Sequence, residues 1–381
     1  MTSIPFFQHD LGEAEVAEVA KVLAGPLLTT GETVAEFERR FAAYLGCKHA
    51  LGVTSCTGAL HMSLLALGVG PGDEVITTPL TFIATSTAIV EAGATPVFVD
   101  VEAKTGLIDP TLVEAAITPR TKAILPVHLY GQMCDMRALR TIADKHGLAI
   151  VEDCAHCIEG VRDGVKPGQL GDTACFSFYA TKNMTCGEGG ALVFNDTALL
   201  EKLKLLRLHG MTRNAADRMK EGYRHWDMTM LGWKYNLDNI HAALLLPQLD
   251  RLDDNWELRR ALAERYETQL ASVPGVECPQ SYDGIRHARH LFPIFIADGR
   301  RDETIAALQA GGVGCVVNYR AIHLLTWFVE TYGYQRGDFT IAERLGDCVM
   351  SLPFYPRMPH AHVDVVVDRL RTTLAGKRLA A

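Results

Sequence analysis

The chain lacks the marks of a membrane-spanning, secreted or nucleic-acid-binding protein. No window offers 18 consecutive apolar residues, so no candidate membrane helix exists. The opening MTSIPFFQHD has neither the basic start nor the apolar stretch of a signal peptide, and a cytoplasmic location is the expectation. Lys and Arg number 37 against 45 Asp and Glu, a net charge of −8, and no basic run forms a nucleic-acid footprint. The 10 cysteines are scattered from Cys47 to Cys348 and show no disulfide framework. Cys154 and Cys157 bracket His156 in a C-x-x-C, but a structural zinc site would need a second ligand pair, so they are read as incidental thiols and no metal is expected. Repeats of about 20 to 50 residues and low-complexity tracts are missing too. A nicotinamide dehydrogenase would need G-x-G-x-x-G after the first strand, and SCTGALH does not supply it.

What is present is the composition of a compact globular protein: 48% hydrophobic and 22% charged residues in 381, a length that predicts two domains. The first two-thirds alternates apolar runs with helical patterns, the rhythm of a doubly wound, mostly parallel α/β sheet. The expected strands are 49–55, 74–79, 95–100, 122–128, 148–153, 174–179 and 190–195. Helical patterns at 58–68, 85–93 and 135–147 each end in a glycine, as a C-cap requires. From Pro247 one long amphipathic helix is expected, then a Pro/Gly-rich break and a smaller α/β unit. The division is therefore placed near residue 250, giving a large domain 1–250 and a small domain 251–381. Within the large domain, the polar stretch 207–233 has neither period, and loops that long tend to carry function.

Ligands of open α/β sheets sit beyond the carboxyl ends of the strands, so residues there are the first candidates. Lys182 follows a buried strand; burial favours its neutral amine, the form that adds to aldehydes, whereas a surface lysine would simply snorkel. Asp153 ends a nearly all-apolar strand, where it needs donors or a cation such as a protonated pyridine nitrogen, unless it only caps a helix begun by EDCAHC. Ser177 and the Thr57-Gly58 amides at a helix start can hold a phosphate or merely cap. Phe82 can stack on a ring or belong to the core. Together these groups meet the requirements of pyridoxal 5′-phosphate (PLP).

Five blocks, FSFYATKNMTCGEGG (176–190), IVEDCAHCIEG (150–160), SCTGALHMSLLALGVGPGDEVITTPLTFIAT (55–85), GPLLTTGETVAEFERRFAAYLG (25–46) and GWKYNLDNIHAALLLPQLDRLD (232–253), resemble the DegT/StrS-like sugar aminotransferases. The resemblance runs from about Pro5 to SLPFYPRM (351–358). It implies a fold-type I PLP enzyme in which Lys182 carries the cofactor and shuttles a proton, Asp153 pairs with the pyridine nitrogen, and His156 lies near the phenolic oxygen. It further implies phosphate contacts from Thr57, Gly58 and Ser177, stacking by Phe82, and a phosphate site completed by Lys234 or Asn236 of a second subunit, hence a homodimer. Contacts to the sugar are expected from Thr29, Thr30, Tyr179, Asn318, Tyr319, His323 and the 207–233 loop. Two positions depart from the common pattern: Asn318 stands where many relatives have His before Tyr319, and Tyr179 where the lysine block has His. The implied reaction moves an amino group from glutamate or glutamine to a nucleotide-linked keto-sugar, with carbon 4 of a uridine-linked sugar suggested by KYN at 234–236. A non-sugar ketone and a non-catalytic regulator on the same fold are the alternatives.

Overall fold

A computed structural model describes residues 3–376 apart from 214, 217–223 and 298. All seven apolar runs of the first two-thirds become strands of one sheet: β1 His49–Val53, β2 Glu74–Thr77, β3 Thr95–Phe98, β4 Thr121–Ile124, β5 Ala149–Asp153, β6 Thr173–Ser177 and β7 Gly190–Phe194. Their order is β1-β7-β6-β5-β4-β2-β3. Strands β3, β2, β4, β5 and β6 are parallel neighbours, and β7 runs antiparallel to both β6 and β1.

The strict alternation of strand and helix expected from the sequence fails at two joins. Residues 178–189 return from β6 to β7 without a crossing helix, which only an antiparallel neighbour permits. Loop 154–172 joins β5 to β6, also without a helix, so Asp153 is not the cap of one. A buried carboxylate organises that loop instead. Glu152 accepts the amides of Gly168 (3.1 Å) and Gly171 (2.8 Å), and lies 2.8 Å from His128 Nε2. His128 Nδ1 accepts the Cys134 amide, which leaves the ring proton on Nε2, aimed at Glu152. Cys154 lies within ligand reach of this pair, but the donors are already spent on these bonds.

Period-two alternation decides what each side of β6 meets. Phe176 and Phe178 point to one face, where Phe41 meets Phe176 edge-on at 5.1 Å and Phe37 meets Phe178 at 5.5 Å. Cys175 and Ser177 point to the other, toward the helix Cys56–Ala66. That helix is capped by Ser55, whose hydroxyl accepts the Gly58 amide at 3.0 Å. The three expected glycine stops, Gly68, Gly93 and Gly147, all have positive φ.

The single long helix expected from Pro247 is instead two, Asn239–Asp250 and Leu252–Leu270. Arg251 leaves helical angles (φ −106°, ψ 14°) between them, and its guanidinium is drawn to Asp10 and Glu15. Beyond the break lies a second, antiparallel sheet in order β10-β9-β8, formed by β8 Val276–Glu277, β9 Phe292–Ile296 and β10 Val349–Leu352. Helices Leu252–Leu270, Arg301–Ala310 and His360–Gly376 cover it. Ile4 joins this second core and bridges to Val313, while Ala288, Leu291 and Ala321 pack into the core of the first sheet. Among the described residues no helix is long and apolar enough to cross a membrane.

Candidate active site

At the carboxyl ends of β5 and β6 a cavity of about 510 Å³ opens between the two sheets. The buried Asp153 lies at its floor. One carboxylate oxygen accepts the Ala155 amide (3.1 Å) and the other the Thr85 hydroxyl (2.8 Å), with Thr81 bonded to Thr85 behind it. Burial pushes the Asp153 pKa above the ordinary carboxylate value, against those two donors and the nearby Lys182. The floor therefore lacks a full counter-charge and favours a bound cation.

Lys182 enters from the β6–β7 loop. Burial lowers its pKa to about 8, against the opposing pull of Cys56 and Asp153. At pH 7 roughly one amine in ten is then neutral, against roughly three in ten thousand for an ordinary lysine. His156 closes the side. Its Nδ1 accepts the Tyr130 amide (3.2 Å), so a neutral ring carries its proton on Nε2, which lies 3.2 Å from the Tyr319 hydroxyl. Burial and the neighbouring Lys182 hold its pKa well below the usual histidine value, so the neutral donor form prevails. Phe82, 53% exposed on the cavity wall, faces Tyr319 at 5.7 Å between ring centroids.

Of the residues expected from the sequence, Thr57, Phe82, Asp153, His156, Ser177, Tyr179, Lys182, Asn318 and Tyr319 line this one cavity. Gly58 sits behind its wall: a Cβ there would lie 3.3 Å from the Tyr235 ring, and its amide is taken by Ser55. Four others gather elsewhere. Thr29, Thr30, Lys234 and Asn236 line a second cavity, also of about 510 Å³, with Lys204, Arg207 and His209. There the Asn236 amide donates to Thr30 (2.7 Å) and Lys234 donates to Asn236. His323 reaches neither cavity; it is buried against Phe339 and lies 3.1 Å from Glu343, a core position. In the 207–233 loop, positions 214 and 217–223 lie outside the described residues, while 207–209, 211–213 and 215 line the second cavity.

The structure adds residues that sequence reasoning passed over. Thr81 and Thr85 stand four apart where a helix begins after β2, a spacing that puts two hydroxyls on one face and could have been noticed. Phe6 and His290 also line the cavity, and they come from distant segments with no local signal.

An amine with a lowered pKa, a buried carboxylate wanting a cation, an imidazole N–H donor and an open aromatic face form a donor set that fits PLP. The protein is thus, by fold and site, a PLP-dependent aminotransferase of the fold-type I architecture. It belongs to the DegT/DnrJ/EryC1/StrS aminotransferase family, whose model matches residues 9–371. It is 41% identical over 379 residues to the spore coat polysaccharide biosynthesis protein SpsC of Bacillus subtilis, covering 98% of this chain and 97% of that one. Its fold is similar to the putative sugar aminotransferase Spr1654 of Streptococcus pneumoniae in its PMP form (TM-score 0.92, 31% identity, 97% of this chain and 98% of that one). It is also similar to DesV of S. venezuelae (TM-score 0.90, 37% identity, 97% and 98%).

Proposed function

We propose that the enzyme moves the amino group of L-glutamate, or of glutamine, to a keto-sugar linked to a nucleotide diphosphate, with carbon 4 as the site of amination. The observation that carries the assignment of roles is the meeting of Lys182, Asp153, His156 and Tyr319 around one cavity. When bound, PLP supplies an electron sink that stabilises negative charge at the carbon next to the transferred nitrogen. In this reading the chain's own groups do the rest. Lys182 holds the cofactor covalently through its neutral amine, then gives and takes the proton at the reacting carbon. Asp153, steadied by Thr85 and the Ala155 amide, keeps the ring nitrogen protonated. The His156 Nε2–H is a fixed donor to an oxygen on the ring, Phe82 covers the ring face, and Ser177 with Thr57 at the helix start holds the phosphate, the Gly58 amide being held by Ser55.

Phosphates of a nucleotide need cationic groups, and the first cavity is poor in them beyond Lys182. The second cavity has Lys204, Arg207 and Lys234. Its residues, including Thr29, Thr30 and Asn236, serve in this reading the active site of a second copy, in a homodimer. Apolar side chains left open to solvent, Trp226 (48%) and Leu231 (67%) among them, support such an interface. In this reading the chain divides near residue 250 into a large cofactor domain and a small domain closing the site, and the helix break at Arg251 supports that division. A cytoplasmic enzyme serving amino-sugar synthesis for glycans or secondary metabolites is the corresponding setting.

The test charges the purified enzyme with glutamate and then with glutamine, and offers a panel of uridine- and thymidine-linked 3- and 4-keto sugars, reading return of the visible cofactor band and product mass. Amination of a uridine-linked 4-keto sugar supports the reading. Turnover confined to a 3-keto sugar or to a non-sugar ketone refutes the carbon 4 assignment or the sugar assignment respectively.

A further inference from the structure

The residue after Lys182, itself half-buried, is the hub of a network of buried partners that the chemistry above does not use. Asn183 Nδ2 donates to both carboxylate oxygens of Glu159 (3.2 and 2.9 Å) and to the Ala288 carbonyl (3.2 Å). Its Oδ1 lies 3.1 Å from His290 Nδ1. A carbonyl oxygen can only accept, so His290 donates from Nδ1 and keeps a bare Nε2. Behind Glu159 stands the guanidinium of Arg259, and both are buried. Glu159 comes from the loop after β5, Arg259 from the helix Leu252–Leu270, and Ala288 and His290 from the segment entering β9. Elements from both sheets thus converge on one side-chain amide.

A buried ion pair adds little net stability over apolar residues of like size, so its presence calls for another account. Here the account is orientation. Both ends of the Asn183 amide are committed, so the backbone beside Lys182 cannot rotate without uncoupling a buried charge. On the other side the His290 ring lies 4.5 Å from the His156 ring and lines the same cavity as Lys182.

We propose that Asn183 is a positioning residue: held by Glu159 with Arg259 on one side and by His290 on the other, it sets the place of the Lys182 amine and of the His156–His290 ring pair. The proposal rests on Lys182 being the cofactor's lysine.

Its test mixes full-length apoenzyme with PLP and follows the rate at which the visible band of lysine-bound cofactor appears, together with the pH at which that band titrates. Thermal unfolding of each apoenzyme serves as the measure of a purely structural effect. Asn183→Asp sets a second carboxylate against Glu159 and is expected to slow capture at least about tenfold, since a displaced reacting group can cost roughly a hundredfold. Adding Glu159→Gln gives that carboxylate an N–H donor and keeps one negative charge for Arg259, and is expected to restore capture to within about threefold, the mark of direct coupling. As a second pair, His290→Phe removes the donor to Asn183 and shifts the band's titration, whereas His290→Gln keeps a donor and leaves it near the wild-type pH. Wild-type capture and titration in all variants, or effects confined to apoenzyme melting, overturn the proposal. A wild type that shows no lysine-bound band overturns the assignment of Lys182 itself.

Discussion

Replacing Thr85 by Val keeps the shape of the side chain and removes one donor from the buried Asp153 carboxylate. A hydrogen bond to a charged group contributes about 1.5 to 3 kcal/mol, so the ionised form of Asp153 should lose about that much in the folded apoenzyme. The Asp153 pKa, already raised by burial, should therefore rise further in the variant. The sign of the pH effect follows from the direction of that shift. A carboxyl whose folded pKa is raised contributes its stability below the unfolded pKa and loses it as pH rises through the folded pKa. The penalty of Thr85→Val is therefore largest on the alkaline side, where Asp153 is ionised, and shrinks toward acid, where Asp153 takes up a proton. Urea unfolding of apo wild type and variant across pH 5 to 8 measures it. An equal penalty at every pH would assign Thr85 to packing alone, and the absence of any penalty would refute the hydrogen bond as a contributor.

Lys182 gives the opposite sign. Its pKa falls from 10.5 to about 8 in the folded chain, so charging it opposes folding below pH 8. Apo Lys182→Met should be about 3 kcal/mol more stable than apo wild type at pH 7, with the gap closing between pH 8 and 10.5 in denaturant titrations. The wild type should be yellow, with borohydride fixing the cofactor to the Lys182 peptide, while Lys182→Ala should hold PLP without turnover; a colourless wild type contradicts this. Gly171→Ala brings a Cβ within 2.5 Å of Glu152 Oε1 and should cost at least about 1 to 3 kcal/mol, the range for overpacking, in thermal or urea unfolding. Phe176→Ala empties a fully buried site between Phe41 and the sheet and should cost about 3 to 5 kcal/mol by the same measurement.

Local chemistry explains which features were legible. Strands β1 to β7 announce themselves because their runs are largely buried and most begin just after a glycine, and Asp153, Ser177 and Lys182 stand out as polar groups where such runs end. The antiparallel return of β7 was hidden because a central strand reads as apolar whichever way it runs. The break at Arg251 was hidden because charged positions on both sides continue the helical period, and the break depends on Asp10 and Glu15, some 240 residues earlier. His323 misled for a related reason: its burial against Phe339 and Glu343 is set by tertiary packing, to which a motif position is blind. His290 and Phe6 reach the cavity, and Arg259 reaches Glu159 behind it, from distant segments, and their relevance exists only once the chain is folded.

The bridge between Ile4 and Val313, with the Phe6 carbonyl accepting the Phe354 amide at 3.2 Å, bears on how the protein is made. While the chain is being synthesised, its earliest residues wait for partners that leave the ribosome some 300 positions later. Phe6, His290, Asn318 and Tyr319 are all walls of the cofactor cavity, so a nascent chain has no finished pocket to fill. Loading is thereby deferred until Tyr319 has left the ribosome, and products truncated before it should remain unable to sequester the vitamin.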